Sequence, residues 1–330
     1  MERWVMTTVS SATHLEPSSW EQLLVVLSQT TDKRWIWRGQ GNYDWQLTTG
    51  LGRRLTEFDR DHSKNWIELE NSTIGYFVDR VTGMLPELPD EHDLLAWLAL
   101  MQHYGAPTRL LDWSISPFIA VFFAYEHPTD SDSALYNLDY YLARRVNVGA
   151  LVPGPWDYLG VVGATEVDAE GNSTTTYPAT SLYRRDRENE ILRWAIQVNS
   201  KCPLPTIPLN QDARMLAQQT IFTLMGDLDY ALDGWFDRDS WEFPELKPGG
   251  PIAGTDATIS PLNHPADLLQ KTRLRREWRE QALRYLDLLG ITGGSLFPGL
   301  DGVGRAAASN LTSGTLTPRD VLTGWLTSNP

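Results

Sequence analysis

Residues 102–124 read Q-H-Y-G-A-P-T-R-L-L-D-W-S-I-S-P-F-I-A-V-F-F-A and set a short polar connection between two apolar runs. Upstream, Leu94, Leu95, Trp97, Leu98, Leu100 and Met101 predict a buried helix that Asp90 caps and that Gly105 and Pro107 stop. Downstream, Ser116 as cap and Pro117 at the first helical position open a second core helix through Phe118, Ile119, Val121, Phe122 and Phe123. A strand of about five residues fits between them. Gln102, His103, Thr108, Arg109, Asp112, Trp113 and Ser114 crowd onto this connection. Charges placed between buried helices must be paired or in use. One outcome is an Arg109 to Asp112 ion pair, with Gln102 and His103 satisfying loop carbonyls; the other is a binding site.

Residues 34–51, R-W-I-W-R-G-Q-G-N-Y-D-W-Q-L-T-T-G-L, hold the second cluster. Ahead of it Pro17, Ser18 and Glu21 form a capping-box start for a helix carrying Trp20, Leu23, Leu24, Val26 and Leu27. Trp35, Ile36 and Trp37 then predict a short strand, with Arg38 at or just past its end. Gly39 and Gly41 permit a tight turn and close approach of a ligand, and Arg38 offers a phosphate or carboxylate a two-pronged contact that lysine cannot copy. A solvent-exposed arginine in a turn is the structural alternative.

With both clusters in view, the chain resembles the FRG-domain family, named for an aromatic-Arg-Gly triplet that stands here as Trp37-Arg38-Gly39. The 102–124 stretch is similar to that family's Q-H-x-G-x-P-T-R-L-L-D-W-T-x-S-P block almost residue for residue. Residues 214–224, R-M-L-A-Q-Q-T-I-F-T-L, are similar to its R-x-x-A-Q-x-G-x-F-T, and residues 296–302, L-F-P-G-L-D-G, to its L-F-P-D-L-D-G end. The departures are Ser114 for Thr, Thr220 for Gly and Gly299 for Asp. The blocks together reach from position 37 to 302.

A second resemblance concerns layout. An Arg-Gly closing a first strand, then a Ser/Thr strand running into a helix, looks like ADP-ribosyltransferases, which carry an Arg, then Ser-Thr-Ser, then Glu. By analogy Arg38 would hold the pyrophosphate of NAD, Ser114 the ribose, and Trp113 or Tyr104 would stack on nicotinamide. A third-strand carboxylate would face the ribose as its C1′ gains positive charge. At that place the third block offers Gln218 or Gln219, and an amide carries no charge. Glu188 and Glu190 compete, since on a strand their alternation puts both on one face, whereas on a helix they diverge. The resemblance thus implies Arg38, Ser114, Gln218 and Glu190 as catalytic candidates. It implies Gly39, Gln40, Gln102, His103, Tyr104, Thr108, Arg109, Asp112 and Trp113 as the nucleotide-binding set.

Composition bounds the rest. With 330 residues, a 42% hydrophobic fraction and 14 Trp, the chain has ample material for a core. A formal charge of −14 opposes broad binding to duplex nucleic acid. The single cysteine, Cys202, excludes an intramolecular disulfide and a thiolate zinc site, and suits a reducing, cytoplasmic compartment. The six histidines, at 14, 62, 92, 103, 127 and 264, lack ligand spacing, so no metal is expected. Phosphate-loop and nucleophile-elbow motifs do not occur, and neither a signal peptide nor a membrane span is expected.

The expected fold is α/β (α+β), a mixed-sheet core resembling the ADP-ribosyltransferase fold with surrounding helices and a C-terminal helical segment. Residues 1–235 form that core and 236–330 a linker and the helical segment packed on it. Residues 1–16 are expected to be a loose lead, and 53–85 largely helical. Residues 128–185 are expected as an insertion, with strands at Val161-Val162 and Thr174-Thr175-Thr176 and a turn at 168–172. A basic amphipathic helix is expected to carry Lys271, Arg273, Arg275, Arg276, Arg279 and Arg284, ending at Gly290. The functional expectation is ADP-ribose transfer to a protein or nucleic-acid acceptor, or NAD glycohydrolysis, in a bacterial toxin or phage-defence setting that the resemblance alone implies. A non-catalytic module binding a nucleotide or a protein is the alternative, and a nuclease the third possibility.

Overall fold

The computed structural model describes residues 13–29, 35–59, 65–140, 143–144, 164–167, 173–176, 181–197, 203–208, 211–228, 231–232 and 269–313. Strand β1 (Thr13–Leu15) leads into helix α1 (Trp20–Gln29). Ser19 accepts from the Gln22 amide at 3.2 Å while the Gln22 side chain turns back to the Ser18 amide, so the helix starts one residue later than Ser18 and Glu21 suggest. Strand β2 (Trp35–Gln40) continues two residues past Arg38, since all six of its residues pair with β4 (Ser133–Asp139). Helices α2 (Gly50–Phe58) and α3 (Trp66–Val81) begin on the caps Thr49 and Asn65. They cover residues 53–58 and 66–81 of the stretch expected to be helical.

Helix α4 (Leu94–His103) is capped by Asp93, whose side chain accepts from the Ala96 amide. Asp90 instead takes the His92 amide, and its carbonyl takes the Trp97 indole N–H. A five-residue strand, β3 (Leu110–Ser114), then runs to α5 (Pro117–Tyr125), with Ser116 as cap and Pro117 in the first turn as the sequence predicts. Beyond β4, strands β5 (Ala164–Val167) and β6 (Ser173–Thr176) pair only with each other. Then follow α6 (Ser181–Gln197), β7 (Leu204–Thr206), α7 (Ala213–Ala217), β8 (Thr220–Leu224) and β9 (Leu269–Leu274). The described chain closes with α8 (Arg279–Leu288), α9 (Gly293–Leu296) and α10 (Leu300–Ser313).

Seven strands make one mixed sheet in the order β1-β9-β4-β2-β3-β8-β7, in which β1 and β9 are the parallel pair. The architecture is α/β, as expected. On one face Trp37 and Leu135 pack beneath α1, α5 and α8, while Leu110, Phe222 and Leu224 pack against α4. The opposite face gathers Ile36, Leu111, Trp113, Tyr136 and Ile221.

Three expectations about chain organisation change. Residues 13–15 enter the sheet as an edge strand on β9, so the lead is not loose there. β4 is an interior strand between β9 and β2, which removes 133–139 from the expected insertion. Leu269–Leu274 is a strand where a helix was expected. Its alternation suits either period over so short a run, and ladder bonds to β4 and β1 decide it. Lys271 and Arg273 lie over the Tyr43 ring at 4.2 and 3.7 Å, and the helix begins only at Arg279 and stops before Gly290 at φ 73°. Val161-Val162, the turn at 168–172, Cys202 and residues 236–268, where the linker was expected, lie outside the described residues.

Gly39 has a purpose the sequence did not disclose. A Cβ there would stand 1.9 Å from the Ala120 carbonyl oxygen and 2.6 Å from the Ala124 nitrogen, both backbone atoms of α5. The glycine lets the helix lie directly on β2, and α5 in turn forms a wall of the cavity described below. Gly39→Ala should force α5 off the sheet and lower stability by about 3 kcal/mol, the upper end of overpacking costs. Chemical denaturation measures it; a loss below 1 kcal/mol would mean the helix shifts freely.

Candidate functional site

Strands β2 and β3 share one bridge, Trp37 opposite Ser114, and then part company. β2 follows β4 as far as Gln40, while β3 stays on β8 back to Leu110. The Arg38 guanidinium spans the opening: Nη1 donates to the Asp112 carbonyl at 2.6 Å and lies 4.0 Å from the Asp112 carboxylate. Its buried Nε has no acceptor among the described residues. Removal from water lowers the Arg38 pKa and the Arg53 charge lowers it further, against the pull of Asp112. The group nevertheless stays cationic, because a guanidinium starts far above neutral pH.

A cavity of about 360 Å³ opens beside this arginine, within the range of ligand sites. Its polar wall comes from five elements: Arg38 of β2, Gln102 and His103 of α4, Asp112 and Ser114 of β3, Arg214 of α7 with Gln218 just after it, and Thr220 of β8. Phe123, Met215 and Phe222 supply apolar surface. Of the residues nominated from sequence, Arg38, Gly39, Gln102, His103, Asp112, Trp113, Ser114 and Gln218 meet here.

Their side chains are not equally free. The Ser114 hydroxyl donates to the Gln218 carbonyl at 2.8 Å and accepts from the Ser116 amide, so it ties the turn before β8 to the start of α5. Gln218 donates from Nε2 to the Leu296 carbonyl at 3.0 Å, which anchors the L-F-P-G-L-D-G block and leaves Oε1 as its acceptor. Thr108 donates to the Gln102 amide oxygen and fixes that side chain. Trp113 is 2% exposed and gives its indole N–H to Thr223, so its ring belongs to the core. His103 Nδ1 lies 2.8 Å from Asp212 Oδ2.

Five nominations lie outside the cavity lining: Thr108, which fixes Gln102, and four that end elsewhere. Arg109 is fully buried, pairs with Glu70 of α3 rather than Asp112, and donates to the carbonyls of Met225 and Gly226. Glu190 lies on α6, exposed and away from the cavity, because the 188–192 run folds as a helix and its carboxylates diverge. Tyr104 is 57% exposed, set edge-on to His103 and outside the cavity lining. Gln40 is buried, with its amide nitrogen 3.4 Å from the Gln46 carbonyl.

Sequence reasoning missed Asp212 and Arg214. Asp212 caps α7 through Oδ1 on the Met215 amide, a start signal that an Asp ahead of an apolar run gives in principle. Arg214 stands 4.8 Å over the Phe297 ring and has no carboxylate partner among the described residues. No group of three or more His, Cys, Asp or Glu among the described residues could hold a metal, and none of the described helices is long and apolar enough to cross a membrane.

No curated protein and no solved structure matches the chain. Residues 33–133, which carry Arg38 and the whole 102–124 stretch, match the family model of the FRG domain.

Proposed function

We propose that the cavity binds NAD or a closely related nucleotide, and that the protein transfers ADP-ribose or hydrolyses the nicotinamide glycosidic bond. The observation that carries this is the meeting of Arg38, His103, Asp112 and Gln218, drawn from separate elements, around one cavity with a second cation at Arg214. Two guanidinium groups suit a pyrophosphate, and Phe123 suits a flat ring. Gln218 Oε1 suits a ribose hydroxyl. Asp112, 57% exposed at its side chain, is the carboxylate that lines the cavity. It takes the place assigned to Glu190 as the negative charge set against a developing oxocarbenium ion. Ser114 shapes the turn that presents Gln218.

The test is nicotinamide release from NAD by purified protein, with and without protein and nucleic-acid acceptors. Release above a blank, reduced at least tenfold in Asp112→Asn, is expected; Asn keeps the side-chain size and loses the charge. Wild-type release equal to the blank would contradict the enzymatic reading. The amide at Gln218, where ADP-ribosyltransferases carry a carboxylate, favours a second reading, a non-catalytic nucleotide-binding module. That reading requires saturable NAD binding with no release.

A further inference from the structure

We infer that His103 and Asp212 form a catalytic dyad, in which His103 Nε2 takes the proton from an attacking hydroxyl. This rests on the NAD reading and names what that reading left open, the chemical class of the acceptor. The geometry starts at Asp212. Its Oδ1 accepts from the Met215 amide at 2.7 Å as the cap of α7, so the carboxylate cannot swing, and its Oδ2 meets His103 Nδ1 at 2.8 Å. A carboxylate oxygen at this distance has no proton to give, so it favours a proton on Nδ1. With the proton on Nδ1 and Nε2 bare, the ring presents a lone pair at Nε2, which has no partner among the described residues, and the ring lines the cavity. A base whose tautomer is fixed by a buttressed carboxylate is the arrangement that abstracts a proton from a neutral oxygen nucleophile.

The step balances without a further reactant. The bond between ribose C1′ and the nicotinamide nitrogen breaks, its electron pair neutralising the pyridinium. A bond forms from the hydroxyl oxygen to C1′, and the hydroxyl proton passes to His103 Nε2 and on to solvent. The acceptor is therefore an oxygen with a proton to lose, such as water or an alcohol, rather than a carboxylate, which needs no base. His103 touches the reacting atoms, and Asp212 is a positioning residue.

The experiment compares wild type, His103→Gln and Asp212→Asn in three readouts: NAD affinity by calorimetry, nicotinamide release at saturating NAD, and ¹⁵N NMR of the His103 ring in the full chain. Asparagine still caps α7, so Asp212→Asn removes the orienting charge without removing the cap. For His103→Gln the expected result is NAD affinity within about threefold of wild type, with kcat down by about 10²–10⁴-fold. The wild-type ring should show its proton on Nδ1, and Asp212→Asn should shift that tautomer and lower kcat. Unchanged kcat in His103→Gln, a loss confined to affinity, or a wild-type proton on Nε2 would each overturn the dyad. Wild-type protein that releases no nicotinamide would instead remove the NAD-consuming reading, and the dyad with it.

Discussion

Arg109→Ala is expected to lower the free energy of unfolding by about 3–5 kcal/mol, the cost of breaking a buried ion pair by removing one partner. The side chain is 0% exposed and Glu70 4% exposed. Nε donates to Glu70 Oε1 at 2.7 Å and Nη2 to Oε2, while Nη1 bridges the carbonyls of Met225 and Gly226 at 2.7 and 2.8 Å. Truncation would leave a buried carboxylate and two carbonyls without donors, each loss adding to the others. Lysine cannot replace it, because one ammonium cannot keep a two-pronged pair with Glu70 and both carbonyls at once. The double variant Arg109→Met with Glu70→Leu removes both charges together and should recover most of the loss. Urea denaturation of the three proteins measures this. A loss under 1 kcal/mol for Arg109→Ala, or a double variant as unstable as the single, would show that the pair is not what joins α3 to β3 and the turn after β8.

Arg38→Lys is expected to weaken NAD binding by about 10–100-fold, the size of one charge-assisted contact of roughly 1.5–3 kcal/mol. The guanidinium already spends Nη1 on the Asp112 carbonyl, where it bridges the opening between β2 and β3. Its remaining donors are what a phosphate would meet. A lysine ammonium is a point charge, and it cannot hold the carbonyl and grip two phosphate oxygens in one plane. Arg38→Ala should lose at least as much. Melting temperatures serve as the folding control, and affinity within twofold of wild type in the lysine variant would remove Arg38 from the site.

Local signals made much of the fold legible. The Ser116-Pro117 start of α5 and the five-residue β3 follow from spacing alone, because a cap followed by proline leaves little choice. The misplaced pieces are those fixed by distant partners. Leu269–Leu274 became a strand because β4 and β1 offered ladder bonds, and the 188–192 run became helical with Leu192 buried beside Leu95 and Leu98. The site divides in the same way. That Arg38 meets Gln102, His103, Asp112 and Ser114 at one cavity follows the crowding of polar groups between apolar helices. Which arginine serves structure was not, since Glu70 stands 39 positions from Arg109 and nothing local marks it. Gly39 was read as room for a turn or a ligand, and it proved to be room for the backbone of α5.

A calorimetric titration of NAD into the wild-type protein tests the central claim most directly. A saturable heat at one site per chain is expected, weakened by salt because charges hold the phosphates. In Arg38→Ala the heat should fall sharply. Absence of heat, or the same isotherm from wild type and Arg38→Ala, would contradict that claim.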